Sequence, residues 1–473
     1  MVFSSHIFIF YFLPLALLLY YASPGRMKSF TLTLVSYVFY GWWNPWFMLL
    51  MLISTMIDYG CGKMISAEGA SQRRRKTGMI LSVISNLSIL VFFKYAAFGA
   101  DGISTLGQWF GFGEVSAPEF LYRVILPVGI SFYTFQSMSY SIDLYRGHAK
   151  QADSFIDFAC YVSMFPQLVA GPIVRYGSVA EQLRSREHNI EGFVGGLTRF
   201  NYGFAKKILL ANPMGGIADA CFNAGDGVLM APIAWLGVIA YAFQIYFDFS
   251  GYSDMAIGLG RMFGFRFPEN FNSPYRSKSI TEFWRRWHIS LSSFLRDYLY
   301  IPLGGNRGSS GRTYVNLMMV MLIGGLWHGA QWTFVAWGAI HGGMLMLERL
   351  TGKDSFYKRL PGWLRMAFTF VILLITWVFF RAANFEVAAS YLGSMFGFGG
   401  DAPAAGILTG ELLRPMNFFF LALAVIVTWV TPRTANWLEK LTGIKVAIGL
   451  VLFVISLAMM FTQGFNPFLY FQF

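Results

Sequence analysis

Along most of this chain apolar residues run in stretches long enough to cross a bilayer, broken by short polar segments. Runs at roughly 7 to 22, 29 to 43, 46 to 64, 78 to 98 and 121 to 144 are each about 15 to 24 residues. At the rise of an α-helix, that length matches a ~30 Å hydrocarbon core. Further runs lie near 231 to 262, 313 to 327, 330 to 349, 366 to 381, 416 to 431 and 446 to 462. The expectation is an all-α, polytopic membrane protein of about eleven or twelve transmembrane helices, with additional re-entrant or interfacial helices. Region 151 to 212 resists this reading, because "FPQLVAGP" (Phe165 to Pro172) breaks a helix and the following candidate carries Arg199, Lys206 and Lys207. One full span plus a re-entrant or interfacial piece is expected there.

Composition agrees: the 473 residues are 56% hydrophobic and 13% charged, as in a bilayer-embedded chain. "HIFIFYFLPLALLLYY" is followed by further spans and by no small-residue cleavage site, so it reads as the first membrane helix and not as a removable signal. The whole chain reads as one integral-membrane domain, with amino-terminal helices in 1 to 150, a core in 151 to 350 and carboxy-terminal helices in 351 to 473. No internal repeat is visible.

The net charge of +12 changes the picture only through where the cations fall. Arg26 and Lys28, Lys63 with Arg73 to Lys76, and Arg146 with Lys150 mark one side. Loops 99 to 120, 211 to 230 and 382 to 413 contain no Lys or Arg and carry acids such as Glu114, Asp226 and Asp401. This asymmetry predicts orientation and argues against nucleic acid as a partner: basic loops in the cytoplasm, amino terminus on the periplasmic side. Cys61, Cys160 and Cys221 have no metal-ligand or redox spacing, so no metal is expected.

Four clusters carry candidate chemistry. In "QIYFDFSGYSDMAIG" (Gln244 to Gly258) the carboxylates Asp248 and Asp254 lie on a presumed membrane helix, with Gln244 and Tyr246 beside them. A carboxylate at that depth faces a wet cavity or a paired cation; the plainer reading makes Asp254 a helix-end residue and Asp248 a hydrogen-bonded one. The second cluster, "FWRRWHISLSSFLRDYLYIPLGG", sits in a segment, 264 to 312, with eight basic residues. As one helix it would align Trp284, Trp287, His288, Leu291, Leu295 and Leu299 on an apolar face. Arg285, Arg286, Arg296 and Asp297 would lie elsewhere around it. The arginines suit phosphate, whether of lipid headgroups or of a phosphorylated donor.

The third cluster, "LIGGLWHGAQW", embeds His328 in a span among Gly324, Gly325 and Gly329, next to Trp327. Glycines admit a close neighbour, helix or substrate. An intramembrane imidazole is either a satisfied core residue or a functional one. Its ordinary pKa suits it to take a proton from a hydroxyl at neutral pH. His341 in "GAIHGG" is the fourth, and reads as a core or interface histidine.

These stretches, with "GFRFPENFNSPYRSKSITEFW", "PVGISFYTFQSMSYSIDLYRG" and "FPQLVAGPIVR", closely resemble the membrane-bound O-acyltransferase superfamily, in its branch for alginate O-acetylation and bacterial cellulose acetylation. The resemblance runs from residue 1 to about 350. It implies helices around a central tunnel, His328 as the essential catalytic residue and His288 as the second polar site residue. It further implies acetyl-CoA as donor substrate, no tightly bound cofactor, a bacterial inner-membrane location, and a periplasmic acetyltransferase of a polysaccharide export system as partner. In that scheme His328 is general base, His288 or Trp287 orients the carbonyl, and the arginines hold donor phosphates. The rival expectations are D-alanyl or peptidoglycan O-acyl transfer on the same fold, or a proton-coupled transporter using Asp248, Asp254 and the histidines.

Overall fold

The computed structural model describes the chain except residues 111–117, 170, 226, 353–355, 401–404, 465–468 and 470–473; Glu114, Asp226 and Asp401 therefore lie outside the described residues. Among the described residues every regular element is helical. Five helices are long and apolar enough to cross a membrane: Pro45–Ser66, Gln72–Thr105, Ala231–Met262, Gly362–Arg381 and Gly443–Thr462. The pair Ala405–Leu412 and Pro415–Trp429, bent by 59°, supplies a sixth if counted as one span. Helices also form at Phe8–Ala22, Lys28–Gly41, Ser310–His328 and Trp332–Leu350, where apolar runs predicted them. These are shorter or more polar than the five, as glycines, hydroxyls and histidines displace aliphatic side chains.

The chain divides into two compact units. The first comprises Met1–Leu197 and Ala256–Pro268. Its helix Pro45–Ser66 starts where Asn44 accepts a hydrogen bond from the Trp46 N–H (3.0 Å) and Pro45 takes the first turn, the arrangement that satisfies an otherwise orphaned donor. The buried rings of Phe3, Phe8, Phe39 and Phe165 pack together. The run expected at 121 to 144 begins later than its hydropathy suggests, as Ile130–Arg146. Gly129 precedes it with φ +76°, and a side chain there would meet the Leu168 carbonyl oxygen at 2.5 Å. The difficult region holds three short helices, Phe155–Ser163, Phe165–Leu168 and Tyr176–Arg184. Helix Ile190–Ala205 then continues through the π-helical turn Lys206–Ala211 into Asn212–Phe222.

The second unit comprises Thr198–Met255 and Glu269–Phe473. Helix Ala231–Met262 is 83% buried over its most apolar stretch, against 17% for Gly443–Thr462; the first belongs to the interior and the second presents its sides outward. Ser310–His328 and Trp332–Leu350 pack as an antiparallel pair with backbones in close approach. A Cβ on Gly325 would strike the Phe334 carbonyl oxygen, and one on Gly338 the Met321 carbonyl oxygen. The glycines therefore serve helix packing at these two positions. Gly325→Ala is expected to destabilise the protein by about 1 to 3 kcal/mol, the usual cost of overpacking, read as a lowered melting temperature in detergent. Gly343→Ala, where a Cβ meets nothing within 4 Å, serves as the neutral control.

Candidate active site

His328 is the last residue of its helix, and the chain turns through Gly329 before the next helix begins at Trp332. Its imidazole is buried at 5% exposure and boxed by aromatic rings edge-on. Trp327 lies at 5.0 Å between centroids, Phe380 at 5.0 Å and Trp337 at 5.3 Å. The ring borders a cavity of about 10 Å³, walled also by Ile245, Asp248, Phe249, Trp287, Trp377 and Leu469. That is room for about one water molecule. At His328, where a central tunnel is expected, the described residues border this small space.

Asp248 faces that space from helix Ala231–Met262. Its Oδ1 is ion-paired with Lys207 Nζ at 2.7 Å, both side chains being 3% exposed, and its Oδ2 accepts from the Leu469 N–H at 3.0 Å. Asp254 is likewise paired, with Arg199 (2.6 Å) and Lys206 (2.7 Å); it is buried, and is no interfacial helix end. Arg199 also meets Glu269 through two nitrogens at 2.6 Å each, the forked geometry that makes arginine–carboxylate pairs strong. Backbone approach creates these pairs. A Cβ on Gly203 would lie 2.5 Å from the Gly251 carbonyl oxygen, and one on Gly251 2.7 Å from that of Gly203, so the two helices cross there. The cations one turn on either side of Gly203 then face the carboxylates flanking Gly251.

The second histidine departs from the single helix expected around it. Helices Ile280–Arg286 and Ile289–Leu295 are separate, and His288 stands between them at φ +43°. A left-handed, non-glycine residue carries backbone strain that its surroundings must overcome. Asn270 does this: its carbonyl accepts from the Ile289 N–H (2.9 Å), and its side-chain Oδ1 accepts from the Ser290 N–H (3.1 Å) and lies 3.2 Å from His288 Nδ1. The His288 ring packs edge-on against Phe249 (4.6 Å) and lies 5.8 Å from Trp327. Trp327 therefore contacts both histidines. Burial pushes the His288 imidazole down to about 3, so it is neutral at physiological pH.

The remaining candidates scatter. Trp287 borders the His328 cavity. Arg286 is paired with Glu282 at 2.6 Å and Arg296 with Asp297 at 2.7 Å, while Arg285 is exposed. The three arginines thus form no common cluster at His328. Gln244 is buried and lines neither of the two cavities described. Tyr246 and Asp254 line a larger cavity of about 320 Å³, which is also bordered by Arg199, Lys206, Ser250, Glu269, Asn270 and apolar residues such as Leu423 and Leu452. His341 is buried and its Nδ1 accepts from Trp284 Nε1 at 3.3 Å, in keeping with a core role. Among the described residues no group of three His, Cys, Asp or Glu side chains is placed to hold a metal.

Lys207, Asn270, Trp337, Trp377 and Phe380 were not singled out by the sequence. A usable signal existed for the lysine. Arg199, Lys206 and Lys207 recur at helical spacing in one apolar segment, and Asp248 and Asp254 in another, and buried charges of opposite sign seek each other.

The sequence matches the MBOAT, membrane-bound O-acyltransferase family over residues 33–386. This chain belongs to that family. It is 45% identical, over all of both chains, to a protein of Pseudomonas putida named probable alginate O-acetylase AlgI, and 44% identical to the protein of the same name from Azotobacter vinelandii, again over both full lengths. A peptidoglycan O-acetyltransferase of Helicobacter pylori is 34% identical over all of this chain and 98% of its own. The protein is a membrane-bound O-acyltransferase with several long membrane-spanning helices.

Proposed function

We propose that this membrane-bound O-acyltransferase moves acetyl groups from cytoplasmic acetyl-CoA to the outer side of the membrane for O-acetylation of an exported polysaccharide, alginate or a similar polymer, through a periplasmic partner transferase. The observation that carries the mechanism is an imidazole, His328, and a carboxylate, Asp248, bordering the same small water-sized cavity. In the transfer, His328 takes the proton of the acceptor hydroxyl as its oxygen bonds to the thioester carbonyl carbon. The C–S bond then breaks, and the proton passes from the imidazolium to the departing thiolate. The aromatic box around the ring excludes water, which would otherwise hydrolyse the thioester. Asp248 with Lys207 fixes charge beside the reacting centre without adding net charge. Full-length likeness to proteins named for alginate O-acetylation supports the choice of acceptor. The positive loops support a cytoplasmic face for the donor and a periplasmic amino terminus.

The test is transfer of radiolabel. Purified protein in proteoliposomes, given labelled acetyl-CoA on one face and alginate with its cognate periplasmic transferase on the other, is expected to place label on polymer hydroxyls. Label that remains on coenzyme A at the level of protein-free liposomes would refute the reading. Label passed instead to peptidoglycan fragments would replace the acceptor.

A further inference from the structure

Asn270 joins the two features of the second unit that the mechanism leaves apart, the His288 turn and the 320 Å³ cavity. Its side chain is 1% exposed. The orientation of its amide follows from one neighbour: the backbone N–H of Ser290 can only donate, and it lies 3.1 Å from Oδ1. Exchanging the two amide atoms would set N–H against N–H, so the oxygen faces Ser290. The Ser290 hydroxyl donates to the same oxygen at 2.9 Å. That oxygen also lies 3.2 Å from His288 Nδ1, and an amide oxygen is only an acceptor.

We propose that Asn270 is a positioning residue with two roles: its Oδ1 holds His288 as the Nδ1–H tautomer, and its Nδ2–H donates to a carbonyl oxygen of the donor in the adjoining cavity, away from the reacting thioester. The second role rests on the acetyl-transfer reading. Asn270 Nδ2 is buried without a protein partner among the described residues, as is the Ser250 hydroxyl, and both residues line the cavity. A buried donor left unmatched is costly, and a carbonyl oxygen is the ligand group that satisfies it. The tautomer also redefines His288. With its proton on Nδ1, the neutral ring presents a lone pair at Nε2. It therefore accepts a hydrogen bond from the reacting groups and does not donate one to the carbonyl.

Nitrogen-15 spectra of the full chain labelled at histidine test the first role. There are 6 histidines, and His288→Gln identifies the signal. The wild type is expected to show His288 protonated at Nδ1, and Asn270→Ala to shift it toward the Nε2–H form. Wild-type His288 protonated at Nε2 alone would overturn the assignment. Asn270→Asp tests the second role, since it keeps the acceptor oxygens and removes the N–H and also guards against a misfolded alanine variant. Its KM for acetyl-CoA should rise about tenfold or more, the effect of losing one buried hydrogen bond; an unchanged KM would overturn that role. Absence of turnover in the wild type would sink the transfer reading alone, because the tautomer is read without substrate.

Discussion

His328→Ala is expected to cut O-acyl transfer by about two to four orders of magnitude, the range that a positioned general base contributes, while the protein still inserts and folds. The ring packs edge-on against Trp327, Trp337 and Phe380, so its removal leaves a small void among large aromatic side chains. The two readouts are initial rate and elution as a monodisperse peak in detergent. His328→Gln, closer in size but unable to take the proton, should be as inactive as alanine. Activity within tenfold of wild type in either variant would remove His328 from the chemistry.

Lys207→Met is expected to give the largest stability loss among single substitutions in the second unit. It leaves Asp248, 3% exposed and otherwise bonded to one backbone N–H, as a buried carboxylate stripped of its cation. Breaking one side of a buried pair costs about 3 to 5 kcal/mol, whereas neutralising both sides is often nearly neutral. The double variant Lys207→Met with Asp248→Asn should therefore melt close to wild type. Melting temperatures of the four proteins form a double-mutant cycle. A double variant as unstable as Lys207→Met alone would show that the pair is not the source of the effect. If the double variant is stable and inactive, Asp248 contributes to turnover through its charge and not through folding.

Much of the scaffold is legible in the sequence, because a bilayer imposes a length and an apolarity that hydropathy reads directly. The helices Pro45–Ser66, Ala231–Met262 and Gly443–Thr462 fall where the apolar runs lie. The start of Ile130–Arg146 was misplaced because hydropathy is blind to the backbone conformation that Gly129 supplies. At the site, the residue types were legible and their contacts were not. Asp248, Trp287 and His328, from three separate sequence clusters, border one cavity. The break at His288 was missed because helical periodicity continues through it, and only the hydrogen bonds from Asn270, 18 positions away, hold the turn. Arg286 and Arg296 follow their nearest acids, Glu282 and Asp297, and local pairing of this kind outcompetes a shared anion site.

The most direct measurement is a structure of the protein bound to a non-hydrolysable thioether analogue of acetyl-CoA. The expected result is an acyl group lodged against the His328 imidazole, with the aromatic wall and Leu469 drawn back to enlarge the present 10 Å³ space. An analogue seated elsewhere, with that imidazole still sealed among Trp327, Trp337 and Phe380, would contradict it.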